Sequence, residues 1–407
     1  LGPAGRAPGG ARGADRLRVC LATRHEPGTT GTSRYVDRLG ADLQRLGAEA
    51  PAGRGESVLP VYVTTRPGGR VARALAVGRR AGMDLNTFLA QYPLAVRWPE
   101  ADVYHLTVQT YAGLLFTAPP PGPVVVTVHD IIPYLTRHDR RLRAYGHPLH
   151  RAFDWLAMQG LRRAQRRGLL LADSAWTKRS LVQALGLDAG RIAVVPLGVD
   201  RERFHPAAVP DDVRRRYGLS EAEDYVLYVG SEDPRKNLTL LLRALARVCP
   251  AAPRVRLLKV GAAHHLDERQ RLRRLAADLG IGHAVRFLDH VAEDDLPRLY
   301  NAATVCVLPS WYEGFGLPVL EAMACGTPVV CAAAAALPEL AGGAACLVPP
   351  DDPEAFAREL LDLLLDPTRR ADLAERGLAR AATFTWRRSA EATLDRYRTL
   401  TQAEAYV

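Results

Sequence analysis

Residues 308–330 read Leu-Pro-Ser-Trp-Tyr-Glu-Gly-Phe-Gly-Leu-Pro-Val-Leu-Glu-Ala-Met-Ala-Cys-Gly-Thr-Pro-Val-Val. The apolar run that leads into them, 303–308, has the length and content of a buried strand. Gly314 and Gly316 free the backbone to bend and to approach a ligand closely. Pro318 fits the first turn of a helix, where a missing N–H costs nothing. Residues 319–324 are helix formers, and Gly326 with Pro328 stops them. Val329 and Val330 open the next strand. Strand, glycine loop, helix and strand in this order put the loop at the carboxyl end of a parallel strand, where open α/β sheets bind ligands. The helix N-terminus there offers unpaired N–H groups and a positive dipole end, which suit phosphate.

Two carboxylates frame the element. Glu313 sits in the loop and Glu321 on the helix, with seven residues between them. A loop plus about one helical turn lets both face one ligand. Carboxylates accept paired hydroxyl hydrogen bonds, so a sugar or ribose suits them. The bland alternative is a solvated loop glutamate and a helix glutamate near the dipole.

The whole string closely resembles the signature of glycosyltransferase family 4, the retaining GT-B enzymes. Glu313 and Glu321 match its paired-glutamate motif, and the intervening Gly-Phe-Gly-Leu-Pro-Val-Leu is intact. The resemblance implies that Glu313 orients hydroxyls of the transferred sugar and that Glu321 holds the nucleotide ribose. Gly314, Phe315, Gly316 and Leu317 would then belong to the donor site.

A chain of 407 residues has room for two or three domains and an ample core. Its 48% hydrophobic and 24% charged content is that of a soluble globular protein. No window approaches ~18 uninterrupted apolar residues, so no membrane-spanning helix is expected. Residues 1–15, rich in Gly, Ala, Pro and Arg and without an apolar run, read as a disordered tail or a start-site artefact and not as a signal peptide. The cysteines at 20, 249, 306, 325, 331 and 346 lack paired metal spacing and read as reduced core residues of a cytosolic protein. The net charge of +10 points to anionic ligands, an anionic membrane face, or both. A GC-rich genome favours arginine and alanine as well, so the charge alone decides little.

Taken in order, residues 17–22 form a strand, a loop with Pro27, Gly28 and Gly31 follows, and a helix is expected from about Ser33 to Leu46. Gly31 to Tyr35 resembles the family's first glycine loop, which lies across the cleft from the donor phosphates. An ordinary βα turn is the alternative. No Gly-x-Gly-x-x-Gly is present, which counts against a nicotinamide cofactor. Strands are expected at 57–65, 102–106 and 124–128, and a basic helix at 70–80. His129 emerges at a strand's carboxyl end, a site position in an open sheet. The segment His129-Asp130-Ile131-Ile132-Pro133 resembles the family's His-Asp-hydrophobic-hydrophobic-Pro element, whose histidine reaches the donor sugar. His105, also at a strand end, and Tyr134 are candidates for the acceptor side.

Residues 136–168 are basic and helical in pattern, with nine arginines against Asp139 and Asp154. Tyr145, Leu149, Phe153 and Trp155 interleave apolar surface. A solvated helix pair with one core face is the plain reading. Docking to an anionic membrane or a lipid-diphosphate acceptor is the sharper one. No nucleic-acid motif accompanies the charge.

After a strand at 169–172, Ser174 is the N-cap of a helix. Residues 192–195 are a strand, and Pro196, Pro206 and Pro210 punctuate a linker. Gly198-Val199-Asp200 and Phe204 resemble the family's hinge. The second half restarts at the strand 225–229 and runs into Gly230-Ser231-Glu232-Asp233-Pro234-Arg235-Lys236-Asn237. Two adjacent cations at a strand-to-helix loop suit a diphosphate, one as a planar fork and one as a point charge. The segment resembles the family's phosphate loop, with Lys236 at the lysine position. Many members carry arginine directly after the glycine; this chain has Ser231, and Arg235 is the candidate substitute. Strands follow at 255–260 and 285–288, with a helix at 267–279 between them. The loop at Asp289-His290-Val291 resembles the one that holds the base, largely through backbone groups. Residues 337–340 and 345–348 complete the sheet, and a helix spans 352–365 with Asp352 as cap.

The alternation of strands and helices in both halves predicts an α/β chain of two doubly wound domains facing a cleft. The expected division is 16–200 for the acceptor side, 201–218 for the linker, 219–384 for the nucleotide-sugar side and 385–407 for a helix crossing back. The resemblance, covering Arg16 to about Leu400, implies retaining transfer of a hexose from a nucleotide-diphosphate sugar, with no cofactor and no metal. Lys236, Arg235 and helix N–H groups would stabilise the leaving diphosphate, and His129 would contact the sugar. The Pro-Arg-Lys-Asn form of the phosphate loop resembles a mannosyltransferase-rich branch, which favours GDP-mannose. The acceptor is a glycan, a glycolipid or a small metabolite, and nucleic acid is not an expected partner. A sugar-nucleotide epimerase or glycosyl phosphorylase of similar architecture, and a silent nucleotide-sugar-binding scaffold, are the alternatives.

Overall fold

The computed structural model describes residues 16–23, 31–49, 57–64, 91–142, 148–263 and 266–404. The tail 1–15, Pro27 and Gly28, the basic helix at 70–80 and residues 143–147 of the basic segment lie outside them.

The first half forms a six-stranded sheet of β1 (Arg16–Thr23), β2 (Ser57–Thr64), β3 (Val103–Leu106), β4 (Val124–Val128), β5 (Gly168–Ala172) and β6 (Ile192–Val194). Their order is β2-β1-β3-β4-β5-β6. The second half forms another, of β7 (Asp224–Val229), β8 (Val255–Val260), β9 (Val285–Leu288), β10 (Val305–Leu308), β11 (Val329–Ala332) and β12 (Cys346–Val348). Here the order is β12-β11-β10-β7-β8-β9. Every pairing is parallel. The doubly wound α/β architecture expected from the sequence is present in both halves.

The strands are short apolar runs, and β3, β4, β10 and β11 are buried at every position. Sheets covered by helices on both faces need this continuous burial. In the first half one face carries Leu17, Val19 and Leu21 against Tyr35, Leu39 and Leu43 of the helix Gly31–Glu49. The other face carries Ala22, Val124, Val126 and Val128 against Ala157, Met158 and Leu161 of the helix Pro148–Arg167. The final helix, Trp386–Glu404, reaches back to the first half. Its Tyr397 is fully buried, and its Arg387 makes a two-pronged ion pair with Glu49 at 3.0 and 2.7 Å.

Several boundaries differ from expectation. The first helix runs from Gly31 to Glu49, beyond the expected bounds of Ser33 and Leu46 at both ends. Residues 337–340, expected in the sheet, belong to the helix Leu337–Ala341. Pro338 near its start and Gly342 in the left-handed region at its end (φ 53°) are helix punctuation that the apolar content conceals. The segment 136–168 is not one helical block: turns follow the short helix Ile132–Leu135, and the long helix begins at Pro148. The helix Pro367–Ala381 went unread, and the expected linker contains the helix Asp211–Tyr217. The caps at Ser174 and Asp352 are as expected, accepting from the N–H of Thr177 and of Ala355.

Candidate functional site

Strand order in the second sheet places the site. β7 and β10 are neighbours, yet the chain leaves them in opposite directions, toward β8 and toward β11. This is the switch point, where the loops after the two strands part and leave a crevice. The loop after β7 carries Arg235 and Lys236, and the loop after β10 carries Glu313. The Trp311 N–H donates to the Arg235 carbonyl at 2.9 Å and ties the two loops together.

Within the crevice Lys236 Nζ lies 2.6 Å from Glu313 Oε1, Ser310 Oγ donates to the same oxygen at 2.7 Å, and Arg235 Nη1 lies 3.6 Å from Oε2. Arg235 also donates to the Tyr312 carbonyl at 2.9 Å. Glu313 is buried. Burial works against its ionisation, but Lys236 and Arg235 outweigh it and hold the carboxyl below the usual range. Burial pulls the Lys236 ammonium below the ordinary lysine range, with Glu313 opposing and Arg235 assisting. Ser231 lies at the entrance to this loop, and its carbonyl accepts from Tyr228 at 2.8 Å.

Gly316, at φ 110°, caps the helix Leu317–Ala324 in a conformation that side chains avoid. Phe315 is buried edge-on to Phe384, with ring centroids 6.0 Å apart, and anchors the loop. Gly314 meets the other domain: a Cβ there would stand 2.0 Å from the His129 carbonyl oxygen. Its own carbonyl accepts from Ser174 Oγ at 2.7 Å. Glu339 accepts from the N–H groups of Ala175 and Trp176 at 2.7 and 3.1 Å, so a second-half carboxylate finishes a first-half helix.

Glu321 lies one helical turn inward, buried, with Oε2 accepting from Tyr300 at 2.8 Å and Oε1 from Arg34 at 2.6 Å. Arg34 stands in the first turn of the helix Gly31–Glu49, across the cleft. Beside this bridge lies a cavity of about 310 Å³ whose lining includes Arg34, Arg38, Asp200, Glu293, Leu317 and Glu321. Its volume sits at the lower end for small-ligand sites. Val291 follows β9, half-buried, two strands from β7.

His129 follows β4. Its Nε2 lies 3.1 Å from the Thr107 carbonyl and its Nδ1 2.6 Å from Asp173. An acceptor at each nitrogen favours the imidazolium. Burial pulls the ring's pKa down, but Asp173 more than offsets this and the net direction is up. Tyr35 meets the His129 ring edge-on at 5.0 Å. Tyr134 is half-buried under the guanidinium of Arg137, 4.0 Å from its ring centre.

His105 stands apart from the cleft surface. It is fully buried, with Nδ1 2.6 Å from the Tyr397 hydroxyl and Nε2 2.7 Å from Thr127 Oγ1. Burial pushes its pKa down to about 3. A residue so enclosed joins the last helix to the first sheet and does not line an acceptor site. Among the described residues no group of three or more His, Cys, Asp or Glu side chains could hold a metal ion.

Sequence reasoning named Glu313, Glu321, Lys236, Arg235 and His129 but missed Arg34, Ser310, Tyr300 and Asp173. Asp173 carried a usable signal, since it follows β5 at the same sheet edge as His129. Arg34 carried none, because its partner lies 287 residues away in the chain.

Residues 29–203 match the family model described as Glycosyltransferase Family 4, and residues 210–380 the one described as Glycosyl transferases group 1. The O-antigen chain mannosyltransferase B of Escherichia coli is 31% identical over 81% of this chain and 83% of that protein. A D-inositol 3-phosphate glycosyltransferase of Kineococcus radiotolerans is 32% identical over 95% of this chain and 96% of its own length. Among solved structures, sucrose-phosphate synthase from Thermosynechococcus elongatus superposes with a TM-score of 0.71 at 24% identity, covering 95% of this chain and all of that one.

Proposed function

The chain belongs to glycosyltransferase family 4 and has the GT-B fold, and on that premise we propose that it transfers a hexose, with retention of configuration, from a nucleotide-diphosphate sugar. The favoured donor is GDP-mannose, and the acceptor is a glycan, a glycolipid or a small metabolite.

One observation carries this reading: at the switch point two cations converge on Glu313, while Glu321 lies one helical turn inward in the same cleft. A donor diphosphate would draw Lys236 and Arg235 to its own oxygens, stabilising the charge that grows as it leaves. Glu313, released from those cations, would then accept from sugar hydroxyls. Glu321 would accept from the ribose hydroxyls in place of Arg34. His129, held by Asp173, would meet the sugar from the opposite domain. Two protein cations at the diphosphate take the part that a divalent ion plays elsewhere, so metal independence belongs to this proposal.

The mannosyl assignment has the support of the Escherichia coli relative and of the Pro-Arg-Lys-Asn loop. Transfer to an inositol phosphate is a second reading, supported by the name of the Kineococcus relative. A panel of nucleotide sugars, assayed for nucleoside diphosphate release in EDTA and with either class of acceptor, tests both. GDP-mannose should turn over fastest, with an axial anomeric linkage in the product. Turnover of no nucleotide sugar, or loss in EDTA that magnesium restores, would overturn the assignment.

A further inference from the structure

The helix Pro148–Arg167 packs its inner side on β4, β5 and the short helix Ile132–Leu135, and turns another stripe outward. Arg151, Trp155, Arg163 and Arg166 recur along it at helical spacing, and all are exposed. Trp155 is 57% exposed at the stripe's centre. Phe116, 44% exposed, extends the apolar surface beside Arg163, whose guanidinium lies 5.3 Å from its ring centre. Leu149, 42% exposed, adds to it at the helix start. The helix's one acid, Asp154, is turned inward and buried. The outward stripe therefore carries cations and an indole, and no negative charge.

We propose that this stripe lays the protein on an anionic lipid bilayer. Charge complementarity selects a negative surface, and the exposed indole selects lipid among negative surfaces. An indole gains by entering the headgroup region, where its apolar body and its N–H both find partners. Arginine stems carry apolar methylenes to the same depth while the guanidinium stays with phosphate. No nucleic-acid-binding motif accompanies the arginines, which leaves lipid as the favoured anionic surface. The proposal also has a consequence for the reaction. The helix packs on β4 and on Ile132–Leu135, which bracket His129 in the chain, so docking would bring the acceptor side of the cleft close to the bilayer.

The test uses the full chain and vesicles of phosphatidylcholine with and without phosphatidylglycerol, read by co-flotation. Wild type should float with the anionic vesicles and lose this at high salt. Each arginine near an anionic surface contributes about fivefold, so replacing Arg151, Arg163 and Arg166 together by Gln should lower partitioning on the order of a hundredfold. Brominated lipid should quench wild-type fluorescence more than that of Trp155→Phe. Unchanged melting temperatures separate loss of binding from loss of fold. Equal flotation with neutral vesicles, full binding by the triple variant, or no difference in quenching between wild type and Trp155→Phe would each overturn the proposal. So would arginine-dependent retention on a duplex DNA probe without vesicle binding. No step needs the donor or the acceptor, so the outcome is independent of the proposed reaction.

Discussion

Arg34 of the first domain donates to Glu321 of the second across 2.6 Å, and the two residues lie 287 positions apart in the chain. The arginine occupies the carboxylate proposed to receive the ribose. Opposite charge raises its pKa further, so the guanidinium stays charged beside the carboxylate.

Arg34→Met should strengthen binding of free GDP, by about tenfold, because the ribose no longer displaces a charge-assisted hydrogen bond of roughly 1.5 kcal/mol at a buried carboxylate. Calorimetric titration measures it. A clear loss of affinity would instead make Arg34 a nucleotide contact.

Lys236→Ala removes the nearest cation from Glu313 and from the proposed diphosphate. A charge-assisted hydrogen bond contributes roughly 1.5–3 kcal/mol, so nucleoside diphosphate affinity should fall by about ten- to a hundredfold. The melting temperature should fall too, since a buried carboxylate is left with fewer partners. Unchanged affinity would remove Lys236 from the donor site.

Glu313→Gln and Glu321→Ala should fail differently. The first should lower turnover and leave affinity for free GDP nearly intact, because that ligand has no hexose. The second should weaken GDP and donor alike. Equal loss of GDP affinity in both variants, at unchanged melting temperature, would refute the division of labour.

Two histidines set opposite limbs of the pH dependence of stability. His105 titrates near 3 in the folded chain and near ~6.5 unfolded, so its contribution is present above ~6.5 and is lost as pH falls toward 3. His129 is raised by Asp173, so its contribution is full below ~6.5 and is lost as pH rises through the folded value. The melting temperature should therefore peak near neutrality. Asp173→Asn should flatten the alkaline limb, and His105→Gln should soften the acid one. An alkaline limb unchanged in Asp173→Asn would show that another group governs it.

Much of this was legible in the sequence because it is local. The stretch from Leu308 to Val330 carries its own strand, glycine loop, helix start and stop, and the two glutamates come with it. The loop that carries Arg235 and Lys236 is equally local. What stayed hidden is what two distant segments make together. His105 looked like a cleft residue from its place at a strand end, but Tyr397, on the last helix, covers it. Arg34 acquires its meaning only when the two halves face each other, whereas Asp173 needs only the pairing of β4 with β5 within the first sheet. Residues 337–340 misled because apolar content does not distinguish a short helix from an edge strand.

The carboxylate of Glu339 sits where the helix Ala175–Leu185 leaves its first N–H groups bare. A cap of this kind contributes about 0.5–2 kcal/mol when it belongs to the same chain segment. Here it is lent by the other domain, so the helix is complete only while the domains touch. Thermal unfolding of the two halves is then coupled, and a calorimetric scan should show one endotherm. Glu339→Ala should broaden or split that peak, turning one cooperative melting unit into two.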